Sequence, residues 1–174
     1  MPVTLVGANI KGKPNFNVIA WFNLANHNPT LVSISSSKTH YTNKGIRENK
    51  TFSVNIPSTS LIEKVGYCGL NSGQKVDKSK VFNVFYGELK TAPMIRECPI
   101  NIECKLLQVV KLPHCELMIG KIAEVYSEQK YLTGDRLDVK KIDPLIYEQG
   151  HYWKVGEYIA EAFDIGRNFK MQSE

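Results

Sequence analysis

Between residues 101 and 107 the chain alternates polar and apolar side chains, and that period of two most constrains its fold. Asn101, Glu103 and Lys105 interleave with Ile102, Cys104 and Leu106. A β-strand turns successive side chains to opposite faces, so this pattern predicts a half-buried strand. Pro113 marks a turn, and residues 116–125 read as a second long strand.

The N-terminal half repeats the theme in shorter pieces. Residues 3–8 form a compact apolar run, followed by turn chemistry at Lys11, Gly12, Lys13, Pro14 and Asn15. Residues 18–22 return as a hairpin partner, and residues 30–35 alternate after the loop Asn26-His27-Asn28-Pro29. A short helix runs towards Asn49, with Thr39 or Thr42 as its N-cap. Residues 52–56 alternate as a strand stopped by Pro57, and residues 58–70 read as a helix with a capping box from Ser60 to Glu63. Residues 71–78 are polar, and the tail offers a strand at 145–147 before an aromatic, glycine-bounded stretch at 150–156. Many short strands and few helices predict a mainly β chain. A closed or nearly closed antiparallel barrel removes exposed sheet edges. The 174 residues are expected to form a single domain, 1–174.

The net charge of +5 comes from 22 basic and 17 acidic residues, with no block of five like charges. That argues against a nucleic-acid partner held by a basic arm and leaves room for a small phosphate-bearing ligand. Cys68, Cys98, Cys104 and Cys115 include no Cys-x-x-Cys pair and no zinc-ligand spacing, so no metal site is expected. Buried or free thiols suit a reducing cytoplasm. Cys98 and Cys104 stand six positions apart, on one face if both lie on a regular strand. The N-terminus lacks a signal-peptide pattern, and no apolar run nears the ~20 residues that cross a bilayer, so no membrane partner is expected.

Two stretches carry candidate chemistry. Ser35, Ser36, Ser37, Thr39 and Thr42 provide hydroxyls, and Lys38 provides a cation, just before a helix start. A phosphate needs directed donors, positive charge and free helical N–H groups; the same residues also read as an ordinary polar turn. Earlier, Asn17, Val18, Ile19, Ala20 and Trp21 combine an amide, small side chains and one large aromatic. A flat isoalloxazine fits there, with Asn17 and Asn55 at its polar edge, Ala20 leaving room and Trp21 as a wall. A buried-strand tryptophan is the competing reading. Together the stretches match the shape of FMN.

The histidines form no hydrolytic or metal-binding constellation: there is no Ser-His-Asp order and no His-Glu-x-x-His. His40 stands beside the hydroxyl cluster and can assist a phosphate. His151, with Tyr152 and Trp153, either closes over a ligand or forms an aromatic cluster at the core's edge. Asp77 and Lys78 read as a solvated surface pair. No Gly-x-Gly-x-x-Gly fingerprint is present, so no separate dinucleotide-binding domain is expected.

In order along the chain, these pieces resemble the flavin reductase-like family of FMN-binding split barrels, particularly the flavoredoxin type. They are the opening strand at residues 2–7, the Gly12-Lys13-Pro14-Asn15 turn, Asn17 to Trp21, Ser36 to Thr42, and Phe52 to Pro57. Asp77-Lys78, Ala92-Pro93 and the strand reaching Cys104 follow. The resemblance implies a six-stranded antiparallel split β-barrel with a Greek-key core, and a homodimer with FMN near its interface. It implies that residues 35–42 hold the FMN phosphate, that residues 17–21 lie along the ring, and that Asn55 approaches the flavin. His151 and Trp153 would act as interface or lid contacts. Such proteins reduce flavin with NADH or NADPH, or keep FMN and exchange electrons with a protein donor or acceptor. No side chain need act as acid or base, so no catalytic residue is expected. A more remote alternative is a non-redox split barrel holding haem through His27, His40, His114 or His151.

Overall fold

In the computed structural model the described residues are 1–167 and 169; residues 168 and 170–174 of the expected domain lie outside them. β1 (Thr4–Ile10) and β2 (Lys13–Ile19) pair through a two-residue turn at Lys11 and Gly12, both at positive φ (52° and 77°). That turn has the twist a tight hairpin needs. It is shorter than the expected five-residue turn, so Pro14 and Asn15 belong to β2. Pro14 is tolerated because β2 is an edge strand.

β3 (Phe22–Asn26) and β4 (Leu31–Ser37) form the next hairpin, followed by α1 (Thr42–Asn49), β5 (Thr51–Ile56) and α2 (Ile62–Leu70). A small pair, β6 (Val84–Phe85) and β7 (Met94–Ile95), precedes the long hairpin of β8 (Ile100–Lys111) and β9 (Cys115–Ser127). β10 (Leu132–Thr133), β11 (Arg136–Leu137), α3 (Val139–Ile142), β12 (Leu145–Glu148) and β13 (His151–Lys154) complete the order.

Seven strands make one antiparallel sheet in the order β2-β1-β5-β8-β9-β4-β3. This is one strand more than expected, because residues 22–26 pair with β4 instead of ending a strand and entering a loop. β2 and β3 are opposite edges of that sheet, yet only residues 20 and 21 separate them in sequence. Three Cα–Cα steps reach at most about 11 Å. The sheet therefore curls until its edges meet, giving a split barrel whose seam is crossed by Ala20 and Trp21.

The barrel interior gathers Val6, Ala8, Ile34, Phe52, Val54 and Met118. A second cluster of Leu5, Phe16, Val65, Cys68, Ile95 and Leu145 includes α2 residues on the other side of the sheet. β1 lies between the two clusters and is buried at all seven positions, so it reads as an apolar run without alternation. Burying a ring such as Phe16 or Phe52, both fully buried, stabilises the fold by about 2–3 kcal/mol. Gly45 lets α1 lie against β1: a Cβ there would collide with the Asn9 carbonyl oxygen.

Three local expectations are corrected. Neither Thr39 nor Thr42 caps α1, whose N-cap position is Tyr41 with no side-chain bond. The Ser60–Glu63 capping box is absent, because residues Thr59–Leu61 form a 3-10 turn and Ser60 Oγ bonds Ser58 Oγ instead. Cys98 and Cys104 do not share a face. Cys98 precedes β8 and joins the outer cluster, whereas Cys104 lies in the barrel interior.

Candidate functional site

Two clefts adjoin at the barrel seam. The first, about 400 Å³, is walled by Val3, Val18, Ile19, Ala20, Trp21 and Ser35, with Ser37, His40, Gly69, Tyr147 and Tyr152 completing it. The second, about 230 Å³, is polar and receives Asn15, Asn17, Thr39, His40, Thr42 and Lys78, with Gly69 to Gly73 opposite. His40 and Gly69 belong to both. A slot of hydrophobic and aromatic side chains thus opens directly into a pocket of amides, hydroxyls and one ammonium.

The polar cleft is built by three elements. β2 supplies Asn15 and Asn17, the turn into α1 supplies Thr39 to Thr42, and the segment after α2 supplies Asn71 to Gly73 and Lys78. Asn15 Nδ2 donates to Thr42 Oγ1 at 2.6 Å. His40 Nδ1 lies 2.8 Å from Asn17 Nδ2 and 3.0 Å from Ser36 Oγ, which fixes the ring. Burial lowers the His40 pKa below the ordinary histidine value, and nearby Lys78 adds to the effect. Behind it, Ser36 Oγ donates to Asn43 Oδ1 at 2.7 Å, and the Asn43 amide donates to Ser37 O and to Glu116. Arg47 pairs with Glu116 and ends this chain of bonds.

Lys78 is the residue that the sequence reading missed. It is 3% exposed, and its Nζ donates to Phe16 O at 2.9 Å and Cys68 O at 2.7 Å. An ammonium has three donors, so one remains for the cleft it lines. Burial lowers its pKa from the ordinary lysine value. The N–H groups of Tyr41 and Thr42, at the uncapped start of α1, donate to no protein atom among the described residues. Free helical N–H groups, a buried ammonium and hydroxyls are the donor set a phosphate requires.

Ten of the fifteen residues expected in the site line these clefts: Asn17, Val18, Ile19, Ala20, Trp21, Ser35, Ser37, Thr39, His40 and Thr42. The other five do not. Ser36 is buried behind His40, and Lys38 is exposed with its Nζ on Pro113 O at 3.0 Å. Asn55 is fully buried between β1 and β7: it donates to Leu5 O at 2.7 Å and accepts from Ile95 N–H at 3.1 Å. These bonds tie it to β1 and β7, and it lines neither cleft. His151 and Trp153 line neither cleft. Tyr152 between them lines the apolar slot, so its neighbours turn away, and Trp153 stays 58% exposed.

Tyr147, Gly69 and Gly73 also line the site without having been singled out, as does Tyr152, which the sequence offered only beside His151 and Trp153. β12 and β13 pair with Tyr147 opposite Tyr152, their rings 6.2 Å apart, and together they wall the slot. Among the described residues, no group of three or more His, Cys, Asp or Glu side chains is placed to hold a metal, and no helix is long and apolar enough to cross a membrane.

The split barrel and its seam cleft agree with comparisons to known proteins. Residues 1–156 match the family model described as flavin reductase like domain. The structure superposes on flavoredoxin from Methanosarcina acetivorans with a TM-score of 0.94 and 47% identity, covering 96% of this chain and 91% of that one. Flavoredoxin of Desulfovibrio vulgaris (Miyazaki F) gives a TM-score of 0.89 and 33% identity, covering 95% and 92%. A protein of Archaeoglobus fulgidus is 30% identical over 124 residues, 70% of each chain. The chain belongs to the flavin reductase-like family of split barrels.

Proposed function

We propose that this protein is an FMN-binding oxidoreductase of the flavin reductase type, acting as one domain. The observation that carries this reading is the continuity of the apolar slot and the polar cleft through His40 and Gly69. Trp21, Tyr147 and Tyr152 would hold the ring in the slot, and Lys78, Thr39 and the start of α1 would hold the phosphate in the cleft. The resemblance to two flavoredoxins supports it.

When bound, FMN would supply the redox chemistry, with NADH or NADPH as the proposed co-substrate. The chain's own residues bind, orient and shield. Lys78 and the free N–H groups hold the anionic end, and the Asn17–His40 pair fixes the middle of the cleft. Trp21, which is 55% exposed, leaves one side of the slot open to a co-substrate. A neutral, bonded His40 and the absence of a carboxylate among the residues lining either cleft fit a protein that moves no proton with its side chains.

A second reading, an electron carrier with firmly bound FMN and a protein donor or acceptor, is favoured by the 47% identity to a flavoredoxin. Anaerobic mixing with NADH and NADPH separates the two. Bleaching of the flavin band by either nucleotide supports the reductase; no bleaching by nucleotides, with bleaching by a reduced protein donor, supports the carrier. Haem ligation has weak support, since His27, His114 and His151 are exposed and His40 Nδ1 is engaged.

We also propose a homodimer. Beyond β13, Tyr158, Ile159, Phe163 and Ile165 are 63–96% exposed, an apolar run that a second copy would cover. Four free thiols suit the cytoplasm.

A further inference from the structure

The hydrogen bonds behind the clefts fix where the His40 proton sits, and they can be followed from Glu116. A carboxylate only accepts. Glu116, on β9 and 7% exposed, takes one amide hydrogen of Asn43, whose Nδ2 lies 3.2 Å from Oε2. Arg47 pairs with the same oxygen. The other Asn43 Nδ2 hydrogen goes to Ser37 O at 2.9 Å. Both amide hydrogens are thus occupied, and Asn43, fully buried on α1, can offer Ser36 only its oxygen. Ser36 Oγ therefore donates its one proton to Asn43 Oδ1, at 2.7 Å. That leaves Ser36 only lone pairs to turn towards His40 Nδ1, 3.0 Å away. A bare Nδ1 would set lone pair against lone pair, so Nδ1 carries the hydrogen. The Asn17 side chain makes no other hydrogen bond among the described residues and is free to turn its oxygen to the same N–H.

Burial and nearby Lys78 lower the His40 pKa from an ordinary value of about 6.5, so the ring is neutral at pH 7. With the hydrogen on Nδ1, Nε2 is a bare acceptor. It has no protein partner among the described residues, where no buried side-chain nitrogen or oxygen goes unpaired, so it lies at the surface of the clefts that His40 lines. We propose that Glu116, Asn43 and Ser36 position His40 as a hydrogen-bond acceptor for a ligand hydroxyl at the junction of the apolar slot and the polar cleft, so that the site selects a hydroxylated linker. The proposal rests on the FMN placement given above. Whatever joins a ring in the slot to a phosphate in the cleft passes His40, which belongs to both. In FMN that linker is a ribityl chain, whose hydroxyls can donate. The Lys78 ammonium and the free N–H groups of α1 suit the phosphate, and a bare Nε2 adds an acceptor for the chain that leads to it.

NMR of the imidazole nitrogens in the unliganded full chain reads the proton directly, with His40→Asn identifying the His40 signals. The natural protein is expected to show a protonated Nδ1 and a bare Nε2 at neutral pH. Ser36→Ala, which removes the hydroxyl that holds the proton there, is expected to bring in the Nε2–H form. An Nε2–H ring in the natural protein, or an unchanged pattern in Ser36→Ala, overturns the positioning whatever FMN does. The second arm compares FMN with an analogue in which an unhydroxylated pentyl chain joins the same ring and phosphate. The natural protein is expected to prefer FMN by about fivefold or more. His40→Asn reaches the Nδ1 position and supplies nothing at Nε2. It is expected to lose about fivefold or more for FMN and less than about twofold for the analogue. No preference in the natural protein, or an equal loss for both ligands, overturns the acceptor role and leaves the FMN reading standing. Failure to bind FMN at all overturns both.

Discussion

The Lys78 ammonium sits 2.7 Å from the carbonyl oxygen of Cys68, which ties the polar segment after α2 back onto the helix it has just left. A second bond to Phe16 O, on β2, stitches the same side chain to the barrel edge. One lysine thereby joins the two walls of the polar cleft and keeps a donor for what enters it. Lys78→Met removes both bonds and leaves two buried carbonyls without this donor. It is expected to cost about 2 kcal/mol or more of stability in urea unfolding, and to weaken FMN by more than about tenfold. Lys78→Arg, which keeps the charge, is expected to recover part of the flavin affinity.

His40 makes stability depend on pH in a defined direction. Its folded pKa is lowered by burial and by Lys78, so the unfolded chain binds the proton more readily. The resulting stabilisation is fully present above the ordinary histidine value of about 6.5 and is lost as pH falls through the folded pKa. Urea midpoints measured across that acid range are expected to fall more steeply for the natural protein than for His40→Gln.

Gly69 lies where slot and cleft meet. A Cβ there would meet only Val18, Cγ2 at 3.7 Å and Cβ at 3.8 Å, both ordinary contacts. Gly69→Ala is therefore expected to fold normally and to gain up to about 1 kcal/mol from helix propensity. Gly69→Leu is expected to keep the fold and weaken flavin binding, because the larger side chain takes space at the junction. Circular dichroism and flavin titration together check both outcomes.

The thiols differ in reach. Cys68, Cys98 and Cys104 are buried, and burial pushes all three thiols above the ordinary pKa; Cys115 is half-buried. A thiol-reactive dye is expected to label one cysteine quickly in the native protein and all four after unfolding.

The long β8–β9 hairpin was legible in the sequence because period-two alternation and Pro113 are local signals. So was most of the slot, since residues 17–21 and 35–42 flank the seam and the family resemblance supplied their order. Lys78 was not legible. A lysine in a polar run reads as solvated, and only the return of the chain against Phe16 and Cys68 buries it. The partners of Asn55 were not legible either: its amide bonds Leu5 and Ile95, contacts that only the paired strands bring to it. In β13 strand alternation gives Tyr152 to the slot and leaves His151 and Trp153 at the surface, a distinction that the pairing of β12 with β13 makes.

The central claim is that one ligand spans an apolar slot and a phosphate-binding cleft. Titration of the protein with FMN and with riboflavin, which share a ring and differ by the phosphate, tests it most directly. The account predicts saturable binding of one FMN per chain, with riboflavin weaker by about tenfold or more, as charge-assisted bonds from Lys78 and the α1 N–H groups require. Equal affinity for the two, or no binding of either, would contradict it.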